Sequence, residues 1–213
     1  MKQEFKKKVY IYVKSIFDFC FSIFVIIVGL PVFILISILI KFSSRGPIFY
    51  YHKRLGKNFK YFYCIKFRTM HPEADDILEN LLKTNEVLKN EYEKTQKIKN
   101  DPRITPIGKF LRKTSLDELP QFINVLRQEM SVIGPRPIIN DEISRYEDKI
   151  SKVLSIKPGI SGLWQVSGRN NLSYKKRVFL DSLYVDNINL LMDLRIIIRT
   201  FGVLLFPLDR GAY

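Results

Sequence analysis

From Phe19 to Ile40 the chain carries no charged side chain, and cationic residues stand on both sides of the run. As one helix this stretch would reach about 33 Å, enough to cross a bilayer. It is longer than the hydrophobic part of a secretory signal, and no small-x-small cleavage site follows. Two features argue against a plain crossing. Pro31, with Gly29 just before it, removes a backbone hydrogen bond near the middle and crowds the preceding turn. Lys6, Lys7, Lys8 and Lys14 precede the run, and Lys41, Arg45, Lys53 and Arg54 follow it. The positive-inside bias would keep both flanks on the cytoplasmic side. The pattern therefore predicts a re-entrant helical hairpin broken at Pro31, entering and leaving one leaflet. A span with a tolerated proline kink is the competing reading.

Beyond the anchor, Ser43-Ser44-Arg45-Gly46-Pro47 reads as a turn. Ile48–Tyr51 and Tyr61–Phe67 are aromatic-rich strands, joined through Gly56-Lys57-Asn58 as a hairpin. Residues from about 75 to 99 are polar with a thin apolar stripe at Ile77, Leu78, Leu81 and Leu88, a solvated helix. Ser115-Leu116-Asp117-Glu118 opens a helix as a capping box, with Pro120 in its first turn. Leu119, Ile123, Leu126 and Met130 then recur at helical spacing and should face the core. A further helix is expected over 141–154, a glycine-punctuated loop around Trp164, and a last helix near 190–205. That last segment alternates apolar residues with Arg195 and Arg199. It suits either a helix lying among headgroups or an ordinary core helix. The fold class is α+β, mostly helical, with one anchor and one small globular domain.

The totals sharpen this picture. The chain has 213 residues and a formal charge of +14, yet 46 % of it is hydrophobic. A basic chain favours a polyanionic partner, and basic together with apolar points to a membrane surface rather than to nucleic acid. Cys20 and Cys64 lack metal-ligand spacing, and Cys20 lies inside the apolar run, so a disulfide is not expected and a reducing compartment fits. His52 and His71 are isolated, and phosphate-loop, nucleophile-elbow and dinucleotide fingerprints are missing from the sequence.

The chemistry concentrates in Ser115 to Gln121. Asp117 and Glu118 are adjacent carboxylates just after Lys109, Arg112 and Lys113, a poor choice for packing, since like charges repel. In phosphoryl chemistry one carboxylate can attack phosphorus while the other holds a divalent cation. A capping box alone accounts for Ser115 and Glu118 but leaves Asp117 unexplained. Lys66 and Arg68 close the second strand, and Arg136 is presented stiffly between two prolines, as suits phosphate recognition. Trp164-Gln165 and Gly168-Arg169-Asn170 could hold a nucleotide base or phosphate, or simply turn the chain.

Taken in order, several stretches resemble the bacterial sugar transferases, monotopic polyprenyl-phosphate phosphoglycosyl transferases. They are Arg45-Gly46-Pro47-Ile48-Phe49, Lys53-Arg54-Leu55-Gly56, Ile65 to Met70, Asp101 to Thr105 and Ser115 to Gln121. Met130 to Pro137, Lys157 to Val166 and Ser167 to Asn170 continue the match. The resemblance implies transfer of a sugar 1-phosphate from a UDP-sugar to polyprenyl (undecaprenyl) phosphate, with release of UMP, as a first membrane step of glycan assembly. It implies Asp117 as the nucleophile and Glu118 as a ligand of Mg²⁺. Lys66, Arg112, Arg136, Gln165 and Arg169 fall where the family binds phosphates and nucleotide, and Asp181 and Asp193 match acidic positions of its C-terminal part. It further implies residues 1–42 as a membrane-associated re-entrant helix and 43–213 as a catalytic domain on the cytoplasmic face of the bacterial inner membrane. Its partners would be UDP-sugar, the lipid phosphate and membrane lipids, with no nucleic acid and a homo-oligomer left open. Trp164 within Gly-Leu-Trp-Gln resembles members that use plain hexoses such as galactose or glucose. The family often has Ser-Pro at the helix break, whereas here Leu30 precedes Pro31. Two rival readings stand beside this one: a membrane-tethered module binding anionic lipid or nucleic acid, and a phosphohydrolase that resolves a phosphorylated Asp117 with water.

Overall fold

A computed structural model describes residues 2–205, except 96, 97, 99, 169 and 170. Helix α1 (Lys2–Ser43) contains Pro31, and helical backbone continues across it. The sharp re-entrant break expected there is not shown. A hairpin follows, β1 (Phe49–Leu55) antiparallel to β2 (Tyr61–Phe67), with Phe49 opposite Phe67 and Leu55 opposite Tyr61. Its turn runs through Asn58, at a φ of 55°, a left-handed conformation that Asn tolerates better than most residues. The single helix expected over 75–99 is two, α2 (Ala74–Thr84) and α3 (Glu86–Thr95), parted by Asn85 in extended backbone.

Helix α4 (Pro106–Thr114) was not foreseen. Thr105 caps it, its hydroxyl accepting from Gly108 N–H, and Pro106 occupies the first turn, where a missing donor costs least. Ser115 does not open a helix. At a φ of 58° it closes α4, and a tight turn over Leu116–Glu118 leads to α5 (Gln121–Leu126). No side-chain cap forms at Ser115. Because the helix starts after Pro120, its buried face is Gln121, Asn124 and Val125, while Leu119 and Ile123 are half-buried.

Strand β3 (Ser131–Ile133) comes next, then two short helices, α6 (Ile143–Tyr146) and α7 (Ile150–Val153). The one helix expected over 141–154 is interrupted at Glu147, which has a φ of 50°. Strand β4 (Gly159–Ser161) pairs parallel with β3. Helix α8 (Tyr174–Asp186) is capped by Ser173, and α9 (Leu190–Leu205) matches the expected last helix. The fold is mostly helical with one apolar N-terminal helix and a small antiparallel hairpin.

The main core joins Phe62 and Cys64 of β2 to Val125, Met130, Val132 and Ile133, closed by Tyr184, Val185 and Ile196 of the last two helices. A second cluster gathers Ile36 and Ile40 of α1 around Phe67 and Leu111. The other end of α1 is fastened by a polar seam. Lys7 donates to the Val185 carbonyl at 2.7 Å, Ser15 to Gln128 at 2.8 Å, and Ser131 to Asp18 at 2.5 Å. Lys14 lies 2.8 Å from Asp193, which also accepts from Tyr10 and Tyr184. Both ends of α1 thus pack on one body. Between them Phe24, Ile27, Val28, Leu30 and Val32 are exposed, Ile27 by 67 %. This helix alone among the described residues is long and apolar enough to cross a membrane. So large an exposed apolar surface supports membrane association.

Candidate active site

The site begins where α4 meets the end of β2. Gly108 sits so close to Thr69 that a Cβ would come within 2.0 Å of its carbonyl oxygen, so only glycine allows the approach. The contact brings Arg112 within reach, and its Nε donates to Thr69 Oγ1 at 2.9 Å. The left-handed turn at Ser115 then reverses the chain and tucks Asp117 inward.

From the other side, Asn124 holds β2 in place. It is fully buried, accepts from Ile65 N–H at 2.9 Å and donates to the Tyr63 carbonyl at 2.8 Å. That fixes the next residue of the strand, Lys66, whose Nζ lies 2.6 Å from Glu118 Oε1. Asp117, buried to 9 % exposure, has Lys66, Glu118 and Arg112 as its charged neighbours. Burial raises its pKa to about 6, with the Glu118 charge adding to the rise while Lys66 and Arg112 oppose it. A carboxylate held in the open between cations would be an inert counter-ion. This one is desolvated and its pKa is displaced toward neutrality, as is common where a group reacts.

A third arm comes from the parallel pair β3 and β4. Gly134 and Gly159 lie backbone to backbone, where a Cβ on Gly159 would meet the Gly134 nitrogen at 2.0 Å. The close approach sets the Gly134-Pro135-Arg136-Pro137 turn beside Trp164, with the Arg136 guanidinium 5.8 Å from the indole centroid. Arg177 of α8 stacks on the same indole at 4.9 Å. Arg112, Ser115, Glu118, Arg136, Trp164 and Gln165 line one part of a cavity of about 400 Å³, whose remaining walls are largely apolar.

Of the residues singled out in the sequence, Asp117, Glu118, Lys66, Arg112, Arg136 and Gln165 therefore come together. Arg169 lies outside the described residues. Asp181 and Asp193 do not line the cavity. Asp181 is fully buried, accepts from Tyr146 at 3.0 Å, and is pushed up to about 8 by burial, against the pull of that bond and of the Arg136 backbone. Asp193 is the anchor of the α1 seam. Sequence reasoning gave no site role to Arg54, His52 or Arg177. Arg54 donates to the Pro137 carbonyl at 3.2 Å and lies 3.8 Å from Glu142, bracing the loop that carries Arg136. His52 is pulled down to about 4, by burial first and then by Arg54, Lys66 and Arg136, so its ring is neutral. The signal for Arg54 was its stretch Lys53 to Gly56. Arg177 stands one helical turn before Asp181 and had no other mark.

No cluster of three metal-ligating side chains occurs among the described residues. Mg²⁺ is commonly held by one or two carboxylates, with water and substrate phosphate completing its shell. Glu118, which lines the cavity with one oxygen 2.6 Å from Lys66 Nζ, is a carboxylate of the kind such a shell uses.

Residues 9–207 match the family described as bacterial sugar transferase. Exopolysaccharide production protein ExoY of Sinorhizobium fredii is 45 % identical over 94 % of this chain and 88 % of its own length. Undecaprenyl-phosphate galactose phosphotransferase of Salmonella typhimurium is 46 % identical over 91 % of this chain, but over only 40 % of its own. UDP-glucose:undecaprenyl-phosphate glucose-1-phosphate transferase of Klebsiella pneumoniae is 35 % identical over 88 % of this chain and 39 % of its own. With its carboxylate pair and its apolar helix joined in one body, and with nearly its whole length matched, this chain belongs to the bacterial sugar transferase family.

Proposed function

We propose that this protein moves a sugar 1-phosphate from a UDP-sugar to polyprenyl (undecaprenyl) phosphate in two steps. In the first, an Asp117 carboxylate oxygen attacks the sugar-bearing phosphorus, the diphosphate bond breaks, and UMP leaves. In the second, a phosphate oxygen of the lipid attacks the same phosphorus and releases Asp117 as carboxylate. Splitting the transfer lets the nucleotide depart before the bulky lipid arrives. The observation that carries this reading is a desolvated Asp117 with Lys66, Glu118 and Arg112 as its charged neighbours, the last two of which line a cavity that is otherwise largely apolar.

Lys66, Arg112 and Arg136 neutralise the phosphates, with Gln165 and Arg169 on the nucleotide side. Lys66 also holds Glu118 oriented. Glu118 would hold Mg²⁺, which when bound supplies positive charge to the diphosphate oxygens. Asp181 and Asp193 act on the framework, under the Arg136 loop and at the α1 seam. The hexose is galactose or glucose, the sugars in the names of the two phosphotransferase relatives.

Residues 1–42 form a re-entrant anchor and 43–213 a catalytic domain at the cytoplasmic leaflet. Two observations support this. Ser22 is fully buried against the body and Phe33 packs again on Phe67. The stretch between them, which exposes Phe24, Ile27, Val28, Leu30 and Val32, is about 15 Å of helix, half the hydrocarbon thickness. Cations flank both ends, which keeps both on one side.

The test is UMP release by purified protein supplied with UDP-galactose or UDP-glucose, Mg²⁺ and undecaprenyl phosphate. Release that requires the lipid and stops with EDTA is expected. Release without lipid would make the protein a hydrolase, and none with either nucleotide sugar would leave a binding module.

A further inference from the structure

The cavity beside Glu118 is larger and greasier than sugar-phosphate chemistry requires. Its about 400 Å³ falls within the range of small-molecule sites. Phe21 and Val25 of α1, Phe122 of α5, Ile160 of β4, and Ile197 and Phe201 of α9 form its apolar walls. Lys66 and Arg54, cations on the hairpin, do not line it. Its cations, Arg112 and Arg136, stand with Glu118.

We propose that this cavity receives the isoprenoid units nearest the phosphate of the lipid acceptor, and so sets acceptor selectivity in the second step. The proposal rests on the two-step transfer above and says where its second substrate lies. The sugar, diphosphate and ribose of a nucleotide sugar are polar, and burying their hydroxyls against the aliphatic walls would strip their hydration without replacing it. A prenyl phosphate has the same gradient as the cavity, anionic at one end and hydrocarbon beyond.

Continuity with the bilayer supports the assignment. The α1 wall belongs to a helix whose next residues, Phe24, Ile27 and Val28, are exposed, and α9 likewise exposes Leu194 and Ile198. A chain leaving the cavity between these helices meets lipid on both sides. A hydrogen bond of 2.7 Å between Ser161 and Thr200 holds α9 on β4, so the wall is fixed rather than loosely laid.

The chemistry separates the two substrates in the same way. The attacking lipid oxygen must enter in line from the side that UMP left, forming its bond to phosphorus as the bond to Asp117 breaks. Both phosphates therefore use one position, and only what trails behind them can diverge. A phosphate monoester is mostly dianionic at neutral pH, so the acceptor needs no base to remove a proton. Selectivity in the second step then falls to the tail, and the cavity is where the tail is read.

Val25→Trp and Ile197→Trp, made in the full chain, fill the cavity from two different helices. Two reactions are measured: lipid-independent exchange of labelled UMP into UDP-sugar, which reports the first step alone, and transfer to undecaprenyl phosphate. The expected result is exchange within about threefold of the parent, with the KM for the lipid raised at least about tenfold, since an indole would take apolar space that the prenyl chain needs. Exchange lost in parallel with transfer would put the donor in the cavity, and an unchanged lipid KM in both variants would empty it of any substrate. Either outcome overturns the proposal while leaving two-step transfer intact. A parent protein that performs no exchange overturns the two-step reading itself.

Discussion

Gly108→Ala tests how tightly α4 must lie on β2. The new methyl would sit 2.0 Å from the Thr69 carbonyl oxygen and 2.7 Å from its carbon, both backbone atoms that no rotamer can move aside. The helix and the Thr69 backbone must part by about 1.4 Å to regain ordinary contact at 3.4 Å. That shift breaks the 2.9 Å bond from Arg112 to Thr69 and carries Asp117, nine residues along, away from Lys66. Misplacement of a reacting group by about 1 Å costs on the order of 100-fold in rate. The variant should therefore lose about that much kcat in the lipid-dependent UMP assay, with a smaller change in the KM for UDP-sugar. Gly202→Ala in α9 is the matched control. Its Cβ would meet nothing within 4 Å, and alanine there should be neutral or stabilise by about 0.5 kcal/mol. A Gly108→Ala enzyme within a few-fold of the parent would refute the claim that this contact positions the dyad.

Three further outcomes follow from the same structure. The first step needs Asp117 ionised, so the rate should fall about tenfold per unit as pH drops below about 6. The same shift has a stability sign. A carboxylate whose pKa is raised on folding contributes stability below its unfolded value of 3.8, lost as pH rises to about 6, and Asp117→Asn should remove that slope from unfolding curves. Asp193→Asn removes the nearer of the two carboxylates on buried Lys14, at 2.8 Å, leaving Asp18 at 3.6 Å, and should cost about 2 kcal/mol in unfolding experiments while leaving the KM for UDP-sugar unchanged. A stable Asp193→Asn protein with a raised KM would instead place that residue at the substrate. With Cys20 replaced by serine, cysteines introduced at positions 4 and 45 should both label from the cytoplasmic side of vesicles. Labelling from opposite sides would mean a true span.

Some of this was written in the sequence and some was not, for physical reasons. The hairpin was legible because both strands are rich in aromatic residues and Gly56-Lys57-Asn58 between them marks a turn. The dyad was legible because adjacent carboxylates among cations have no packing use. Helix α4 was missed although Thr105-Pro106 is a sound start signal, because only nine residues follow and Gly108 within them argues against a helix. Ser115 satisfied the spacing of a capping box, yet the end of α4 claimed it first, and the helix behind it began at Gln121 with a different buried face. Helix α8 left no apolar stripe to read, since its inward positions include Asp181, Ser182 and Tyr184. The roles of Asp181 and Asp193 depend on Tyr146, Lys14 and Tyr10, partners distant in the chain that no local pattern could supply. The cavity has the same origin, with walls drawn from α1, α5, β4 and α9.

The central claim concerns one bond, between a carboxylate oxygen of Asp117 and the phosphorus of a sugar phosphate. Incubating the protein with radiolabelled UDP-sugar and Mg²⁺ without lipid, quenching under conditions that preserve acyl phosphates, and sequencing the labelled peptide by mass spectrometry tests it directly. The label is expected on Asp117, and it should be discharged when undecaprenyl phosphate is added before the quench. Label on any other residue, or an adduct that the lipid cannot discharge, would contradict the account.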